Sequence, residues 1–142
     1  MKNIYHTGSC LCGSIAYEVD KIESQMSHCH CSMCRKFHGS AFSTFGEAKV
    51  GNFRWIKGEE LLASYKANNG AVRRFCKVCG SSMTFSASGD TSKLIEFSLG
   101  TLDSKIDLHP DAHVYIKSKV AWFEVCDDLP QYKAGRSDTK ET

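Results

Sequence analysis

Residues 10–13 have the sequence CLCG, and residues 76–80 have the sequence CKVCG. In an extended segment residues i and i+2 point to the same side, so the first motif can present both of its sulfurs to one ion. The second motif forms a tight turn, in which its glycine can adopt a positive φ, and it offers two more sulfurs. Together they predict a tetrahedral zinc site that joins two distant segments and supplies folding energy. Its expected ligands are Cys10, Cys12, Cys76 and Cys79.

A third motif, HCHCSMCRK at residues 28–36, places Cys29, Cys31 and Cys34 within six residues. One loop can therefore supply three thiolates to a metal and leave a fourth coordination position for an exchangeable ligand, which is typical of catalytic zinc. His28 and His30 alternate with the cysteines. If the cysteines face the metal, we expect these two histidines to face away from it, toward packing or supporting contacts.

The spacing of the third motif is equally compatible with a closed, structural site. In that alternative Cys126, His38 or His113 supplies the fourth ligand from elsewhere in the fold. Cys126 follows Trp122 and Phe123, and a lone cysteine in such surroundings is more often a buried apolar residue than a metal ligand. We therefore interpret Cys126 as a packing residue.

The composition of the 142-residue chain is ordinary except for its eight cysteines and six histidines. Hydrophobic residues make up 42%, charged residues 24% and aromatic residues 11%, which excludes a disordered or membrane-spanning chain. The net charge of +2 argues against nucleic acid or an acidic membrane as the main partner. The cysteines are therefore the feature that must explain the function.

The expected compartment is the cytoplasm. The first residues, MKNIYHTG, contain no apolar segment followed by a cleavage site, and no apolar stretch approaches the roughly 18 residues of a membrane helix. In a reducing compartment, clustered cysteines indicate metal binding or catalysis. The alternative is a periplasmic protein with four disulfides, for which the observed spacings are unsuitable.

The pattern of short alternating segments predicts a mainly β single domain. We expect strands at residues 14–19, 52–56, 83–86 and 94–99. Residues 32–38 are expected to form one or two helical turns, and residues 59–66 either a short helix or a strand. The domain is expected to span residues 1–132, followed by a polar tail at residues 133–142 that frays.

The three cysteine motifs, with the residues on either side, resemble the glutathione-dependent formaldehyde-activating enzyme family, which includes centromere protein V. The resemblance continues through Pro110, His113 and Trp122 to the sequence LPQY at residues 129–132, and so covers nearly the whole chain. It implies a mainly β fold of several small antiparallel sheets with two zinc ions. By position it implies a structural zinc at Cys10, Cys12, Cys76 and Cys79, and a catalytic zinc at Cys29, Cys31 and Cys34, while Cys126 matches no ligand.

The type activity of that family is the joining of formaldehyde and glutathione into S-(hydroxymethyl)glutathione, the reverse of a carbon–sulfur lyase reaction. A zinc ion held by three thiolates is a weak Lewis acid, so holding a substrate thiol as its thiolate is the more suitable role. Four cations could pair with such a site or with the carboxylates of a glutathione-like thiol, or could be solvated surface charges. They are Arg35, Lys36, Arg73 and Arg74. On a strand Arg73 and Arg74 face opposite ways, so at most one of them should reach the site.

Two functions follow from the sequence. The favoured one is a zinc-dependent carbon–sulfur lyase that forms or cleaves an adduct between a small, glutathione-like thiol and an aldehyde such as formaldehyde. The alternative is a non-catalytic zinc module that binds a protein or nucleic acid. The balanced charge and the lack of a run rich in lysine and arginine weaken the nucleic-acid version.

Overall fold

The computed structural model describes residues 5–136 and 140–141. Within them the chain forms short strands, several single 3-10 turns and one α-helix, so the predicted mainly β fold is confirmed. The strands are β1 (His6–Ser9), β2 (Ala16–Val19), β3 (Ser27–Cys29), β4 (Ser43–Lys49), β5 (Phe53–Lys57), β6 (Leu62–Lys66), β7 (Val72–Cys76), β8 (Ser82–Ser86), β9 (Leu94–Ser98), β10 (Ala112–Val114), β11 (Gln131–Tyr132) and β12 (Lys140–Glu141). The helix is α1 (Ser32–His38). No helix in these residues has the length and apolar character needed to cross a membrane.

The four strands expected from the alternation are present as β2, β5, β8 and β9, with ends within two residues of the predicted ones. Residues 59–66 contain both predicted alternatives, since the 3-10 turn Glu59–Leu61 leads directly into β6. Gly58 directly precedes the 3-10 turn and has a φ of 76°, a left-handed conformation that glycine adopts without strain. The boundary between a domain at 1–132 and a tail at 133–142 remains a prediction, and residues 137–139 and 142 of that tail lie outside the described residues.

The chain divides into two compact units that are interleaved in sequence. Unit 1 comprises residues 1–24 and 46–107, and unit 2 comprises residues 25–45 and 108–142. Strand β4 begins in unit 2 and ends in unit 1. The two motifs expected to form the first metal site fall in unit 1, and the three-cysteine motif falls in unit 2.

Unit 1 contains the antiparallel sheet β1-β2-β5 and the ladder β9-β8-β7-β6, with the end of β4 beside β9. Tyr17 of β2 is at the centre of its core and is 1% exposed. Its ring stacks on Phe53 at a centroid distance of 5.0 Å and lies 5.7 Å from the ring of Phe97. Burial of each such side chain contributes about 1.5–3 kcal/mol. Its hydroxyl is satisfied by Thr101 Oγ1 at 2.8 Å.

The path of β1 into the first cysteine motif depends on a glycine. A Cβ at Gly8 would lie 2.2 Å from Cζ of Tyr17, so any larger residue would displace β1 from the ring. Gly8 pairs with Tyr17 across the two strands, and Cys10 follows one residue beyond the end of β1. The aromatic core of unit 1 therefore fixes the position of the first cysteine motif.

In unit 2, β3 lies between β10 and the first residues of β4. The pairing of β3 with β4 is antiparallel, as expected, but β10 runs parallel to both β3 and β11. The antiparallel arrangement implied by the resemblance thus fails at β10. The chain path explains this difference. Residues 46–107 lie between β4 and β10, and a connection of that length allows β10 to pair with β3 in the parallel direction.

Candidate metal centres

The first cysteine cluster, in unit 1, brings two turns together. Cys10 and Cys12 lie in the turn after β1, and Gly13 closes that turn with φ of 79°. Cys76 ends β7, and the N–H of Gly80 donates to its carbonyl at 2.8 Å. The sulfurs of Cys10 and Cys12 are 3.6 Å apart, and those of Cys12 and Cys76 are 3.9 Å apart. All four sulfurs, including that of Cys79, lie within 4.8 Å of one another.

This geometry fits a tetrahedral zinc site. A zinc ion at about 2.3 Å from each sulfur places neighbouring sulfurs roughly 3.8 Å apart, close to the separations in the cluster. The hydroxyl of Ser81 lowers the pKa of Cys79 to about 5, and hydrogen bonds from Ser14 lower the pKa of Cys12. Burial raises the pKa of Cys76, so a cation is needed to hold all of these sulfurs as thiolates.

The second cluster is built around the start of α1. Cys29 ends β3, Cys31 is the N-cap of the helix with extended φ and ψ, and Cys34 lies in the first turn. The backbone N–H of Cys34 donates to the sulfur of Cys31 at 3.3 Å. The three sulfurs lie within 4.8 Å of one another. Cys29 and Cys34 are buried, whereas Cys31 is half-buried and is the member accessible from solvent.

The three thiols of this cluster differ in acidity because they share hydrogen bonds. Bonds from Cys29 and Cys34, helped by two backbone N–H groups at the helix start, hold the pKa of Cys31 well below its usual range. The same shared bonds, to Cys31 and Cys34, raise the pKa of Cys29. For Cys34 the bond to Cys29 lowers the pKa, but the Cys31 sulfur and burial outweigh it. The cluster therefore readily holds one negative charge. Such a set of three sulfurs fits a divalent thiophilic cation.

No fourth His, Cys, Asp or Glu side chain among the described residues brings a ligand atom into this cluster. His113, expected as a possible fourth ligand, uses both ring nitrogens in other hydrogen bonds. His38 packs its ring edge-on against Phe45. Cys126 is exposed at the surface, with its thiol 3.6 Å from the Glu124 carbonyl, so its interpretation as a packing residue was wrong. Cys126 lies in an irregular segment where exposure alternates, so it falls on the same exposed side as Trp122 and Glu124.

His28 and His30 are outside the sulfur cluster, as the alternation predicted. Nδ1 of His28 is 2.7 Å from Thr44 Oγ1, and its ring packs edge-on against Phe42. His30 is 0% exposed, and its Nε2 is 2.8 Å from Nδ1 of His113. Burial, together with the repulsion from His113 whenever that ring is protonated, lowers the pKa of His30 to about 4, so the His30 ring is neutral at pH 7.

The hydrogen-bond chain continues from His113 to the surface. Nε2 of His113 is 2.9 Å from Oδ2 of Asp127, whose side chain is 45% exposed. This bond lowers the pKa of Asp127, which is therefore a carboxylate. No pattern in the sequence predicted this hydrogen-bond chain. In the sequence His113 stands out as a possible fourth metal ligand and as part of the resemblance, but no local pattern pairs it with His30, 83 residues earlier.

The four cations singled out in the sequence have different surroundings. Arg35, in α1, is half-buried, and its Nε has no hydrogen-bond partner in the part of the chain described, whereas Lys36 is exposed. Arg73, in β7, is 4% exposed and lies over the ring of Phe85 at 4.8 Å. Arg74 pairs with Asp90 at 3.5 Å. Arg73 and Arg74 thus differ in burial, consistent with their opposite orientation on the strand.

Three comparisons relate the chain to known proteins. The family model described as "Glutathione-dependent formaldehyde-activating enzyme" matches residues 5–118. An uncharacterized lyase of Schizosaccharomyces pombe is 31% identical over 80 residues, which are 56% of this chain and 56% of that protein. The chain thus matches little more than half the length of this curated relative. A crystal structure of a Rhodobacter sphaeroides protein, 22% identical, superposes with a TM-score of 0.60 over 71% of this chain and 91% of the other, and shows the same fold.

Proposed function

Because the chain belongs to the glutathione-dependent formaldehyde-activating enzyme family, we propose that it is a lyase-type enzyme that forms or cleaves the adduct of a small thiol and an aldehyde. We assign the reaction to Cys29, Cys31 and Cys34, and the structural role to Cys10, Cys12, Cys76 and Cys79. Each cluster is proposed to hold one zinc ion. The lyase name of the fission-yeast relative supports the reaction class.

The observation that carries the proposal is the set of three sulfurs within 4.8 Å that gains no fourth protein donor among the described residues. A structural zinc site is closed by four protein ligands, which is the arrangement proposed for the first cluster, whereas a catalytic site keeps one position for substrate. Zinc bound there would supply a position at which a substrate thiol is held as its thiolate. The half-buried side chain of Cys31 leaves a solvent side from which that thiol can approach.

The proposed reaction needs no oxidant or reductant. The substrate sulfur forms a bond to the aldehyde carbon while the carbonyl π bond breaks, and the proton lost by the thiol ends on the aldehyde oxygen. The product is a hydroxymethyl thioether in the case of formaldehyde, and the reverse reaction releases the aldehyde. The protein residues contribute by placing the reacting sulfur and carbon together in one orientation.

Arg35 is the cation best suited to recognise a carboxylate of the thiol. It follows Cys34 directly and is half-buried, and its Nε is buried without a partner among the described residues. A guanidinium binds a carboxylate through paired N–H donors, which would satisfy that nitrogen. This supports a glutathione-like thiol that carries carboxylates.

The test is the rate of adduct formation between ¹³C-formaldehyde and glutathione, followed by exchange NMR on the zinc-loaded protein. We expect acceleration over the spontaneous reaction, loss of this acceleration in Cys34→Ala, and its retention in Cys126→Ala, which removes an exposed cysteine outside both clusters. Cysteamine, which lacks a carboxylate, should show a higher KM than glutathione. If the wild-type rate does not exceed that of buffer containing the same zinc, the enzyme assignment fails and a binding module becomes the better interpretation.

A further inference from the structure

We propose that Asp127 is a positioning residue for the three-cysteine loop, acting through His113 and His30. The inference rests on the proposed function in one respect only, namely that Cys29, Cys31 and Cys34 hold a metal ion. Asp127 is outside every cysteine motif and touches no sulfur of the cluster. Asp127 is hydrogen-bonded to His113, and His113 to His30. His30 lies in the sequence between two of the proposed ligands, Cys29 and Cys31.

The direction of the hydrogen bonds follows from their chemistry. A carboxylate only accepts, so His113 donates to Asp127 from Nε2. A neutral His113 ring then has its lone pair on Nδ1, and His30 donates to that atom from Nε2. Asp127 therefore sets the tautomer of His113, and His113 sets that of His30. A carboxylate that accepts from a ring N–H fixes the orientation of that ring, as it does for histidines that bind a metal directly; here the ring so fixed is next to the ligands rather than one of them.

His30 has few other polar restraints on its ring. Its Nδ1 is buried and lacks a partner within residues 5–136, so the bond to His113 is the hydrogen bond that orients the imidazole. The remaining contacts are with aromatic rings, at 4.9 Å to Phe42 and 6.4 Å to Phe123. Such apolar contacts confine the ring but do not select its rotation.

The position of His30 in the chain connects this bond to the metal ligands. Its two neighbours in sequence are Cys29 and Cys31, so a change in its backbone angles moves both sulfurs. The backbone N–H of His30 also donates to the Val114 carbonyl at 3.0 Å, next to His113 on β10. Through both its side chain and its backbone, His30 thus links the three-cysteine loop to β10.

The test measures metal retention rather than turnover. Wild type, Asp127→Ala and Asp127→Asn are loaded with zinc and titrated with a chromophoric chelator, and the cobalt-substituted forms are compared by their thiolate charge-transfer and d–d bands. We expect Asp127→Ala to weaken the second metal on the order of tenfold and to alter its cobalt spectrum. The first metal should be unaffected. Asp127→Asn keeps an oxygen that accepts from His113 and should restore both properties.

Asp128→Ala is the matched control, since it removes a carboxylate from the next, exposed position. Equal retention of both metals by wild type and Asp127→Ala would overturn the inference, as would an Asp127→Asn variant as impaired as Asp127→Ala, because charge alone would then explain the loss. A wild-type protein that binds only one metal would instead contradict the proposed function. Circular dichroism and melting curves identify any variant that is simply unfolded.

Discussion

Glu96, in the middle of β9, is a half-buried acid near other charged side chains. Glu96 pairs with Phe85 of β8. Phe85 in turn pairs with Arg73 of β7, whose guanidinium lies over the Phe85 ring. Burial, together with the charge of Glu47, raises the pKa of Glu96 to about 7. A carboxyl group with a raised pKa in the folded state opposes folding once it must ionise.

The pH dependence follows from this shift. Below the pKa of the unfolded state, 4.5, Glu96 is protonated in both the folded and the unfolded protein, so its ionisation does not lower the free energy of unfolding. As the pH rises to about 7, only the folded state keeps the proton, and the penalty grows until it is constant at higher pH. We therefore expect Glu96→Gln to stabilise the protein at pH 8 by about 1–2 kcal/mol, several degrees in Tm, and to have little effect near pH 4.5.

Melting curves of wild type and Glu96→Gln at several pH values measure this difference. Glu60→Gln, at an exposed position of unit 1, is the control for a general loss of negative charge. A Tm difference that stays the same from pH 4.5 to pH 8 would show that packing, and not ionisation, distinguishes the variant.

At the scale of elements, the two cysteine clusters differ in the length of chain that they join. Cys12 and Cys76 are 64 residues apart, whereas Cys29, Cys31 and Cys34 belong to the end of one strand and the first turn of one helix. A crosslink between distant segments restricts the unfolded chain far more than one within a loop. Metal binding at the first cluster is therefore expected to act mainly as folding energy.

We expect Cys12→Ala and Cys76→Ala to lower solubility and to abolish or strongly lower the thermal transition. Cys31→Ala and Cys34→Ala should stay folded, keep the first metal and lose thiol-dependent turnover. Far-ultraviolet circular dichroism, melting curves and metal content on the four variants, with Cys126→Ala as control, decide between the roles. Similar unfolding of the Cys34 and Cys76 variants would identify the second cluster as another structural crosslink.

The elements that sequence reasoning predicted are those encoded locally. The sulfurs of each cysteine motif come together because the turn around them has a short-range cause, such as the N-cap at Cys31 or the positive φ of Gly13. Strands with clear alternation, such as β2, were predicted for the same reason. The three-residue strands β3 and β10 are too short for a periodic signal, and their parallel pairing depends on the whole chain path. The contacts of His113 were unpredictable for that reason.

For the whole molecule the expected metal content is two zinc ions per chain in protein purified without chelator. Seven of the eight cysteines partition into a cluster of four and a cluster of three, and the exposed Cys126 is outside both. Elemental analysis against protein concentration gives the number directly. The second ion should be lost first on mild chelation, since three ligands on one loop bind less tightly than four ligands from two braced segments.

A metal content of one would make the second cluster a thiol site and remove the basis for the proposed reaction. Cys34→Ala is the informative comparison, because it should contain one ion when wild type contains two. If wild type and this variant contain equal amounts, the second cluster holds no stable metal.

The interleaving of the two units also has a consequence for synthesis on the ribosome. Unit 1 has all of its residues once position 107 has been added, and its last cysteine ligand, Cys79, is made 48 residues before Asp127. At bacterial or eukaryotic elongation rates this interval is roughly 2–10 seconds. The four-cysteine cluster can form on the nascent chain during that time. The loop with Cys29, Cys31 and Cys34 is made earlier than Cys76, but under the proposal above it gains the support of Asp127 only after this interval. The three cysteines of the second cluster are thus synthesised early, and we expect them to be among the last residues to reach their final surroundings.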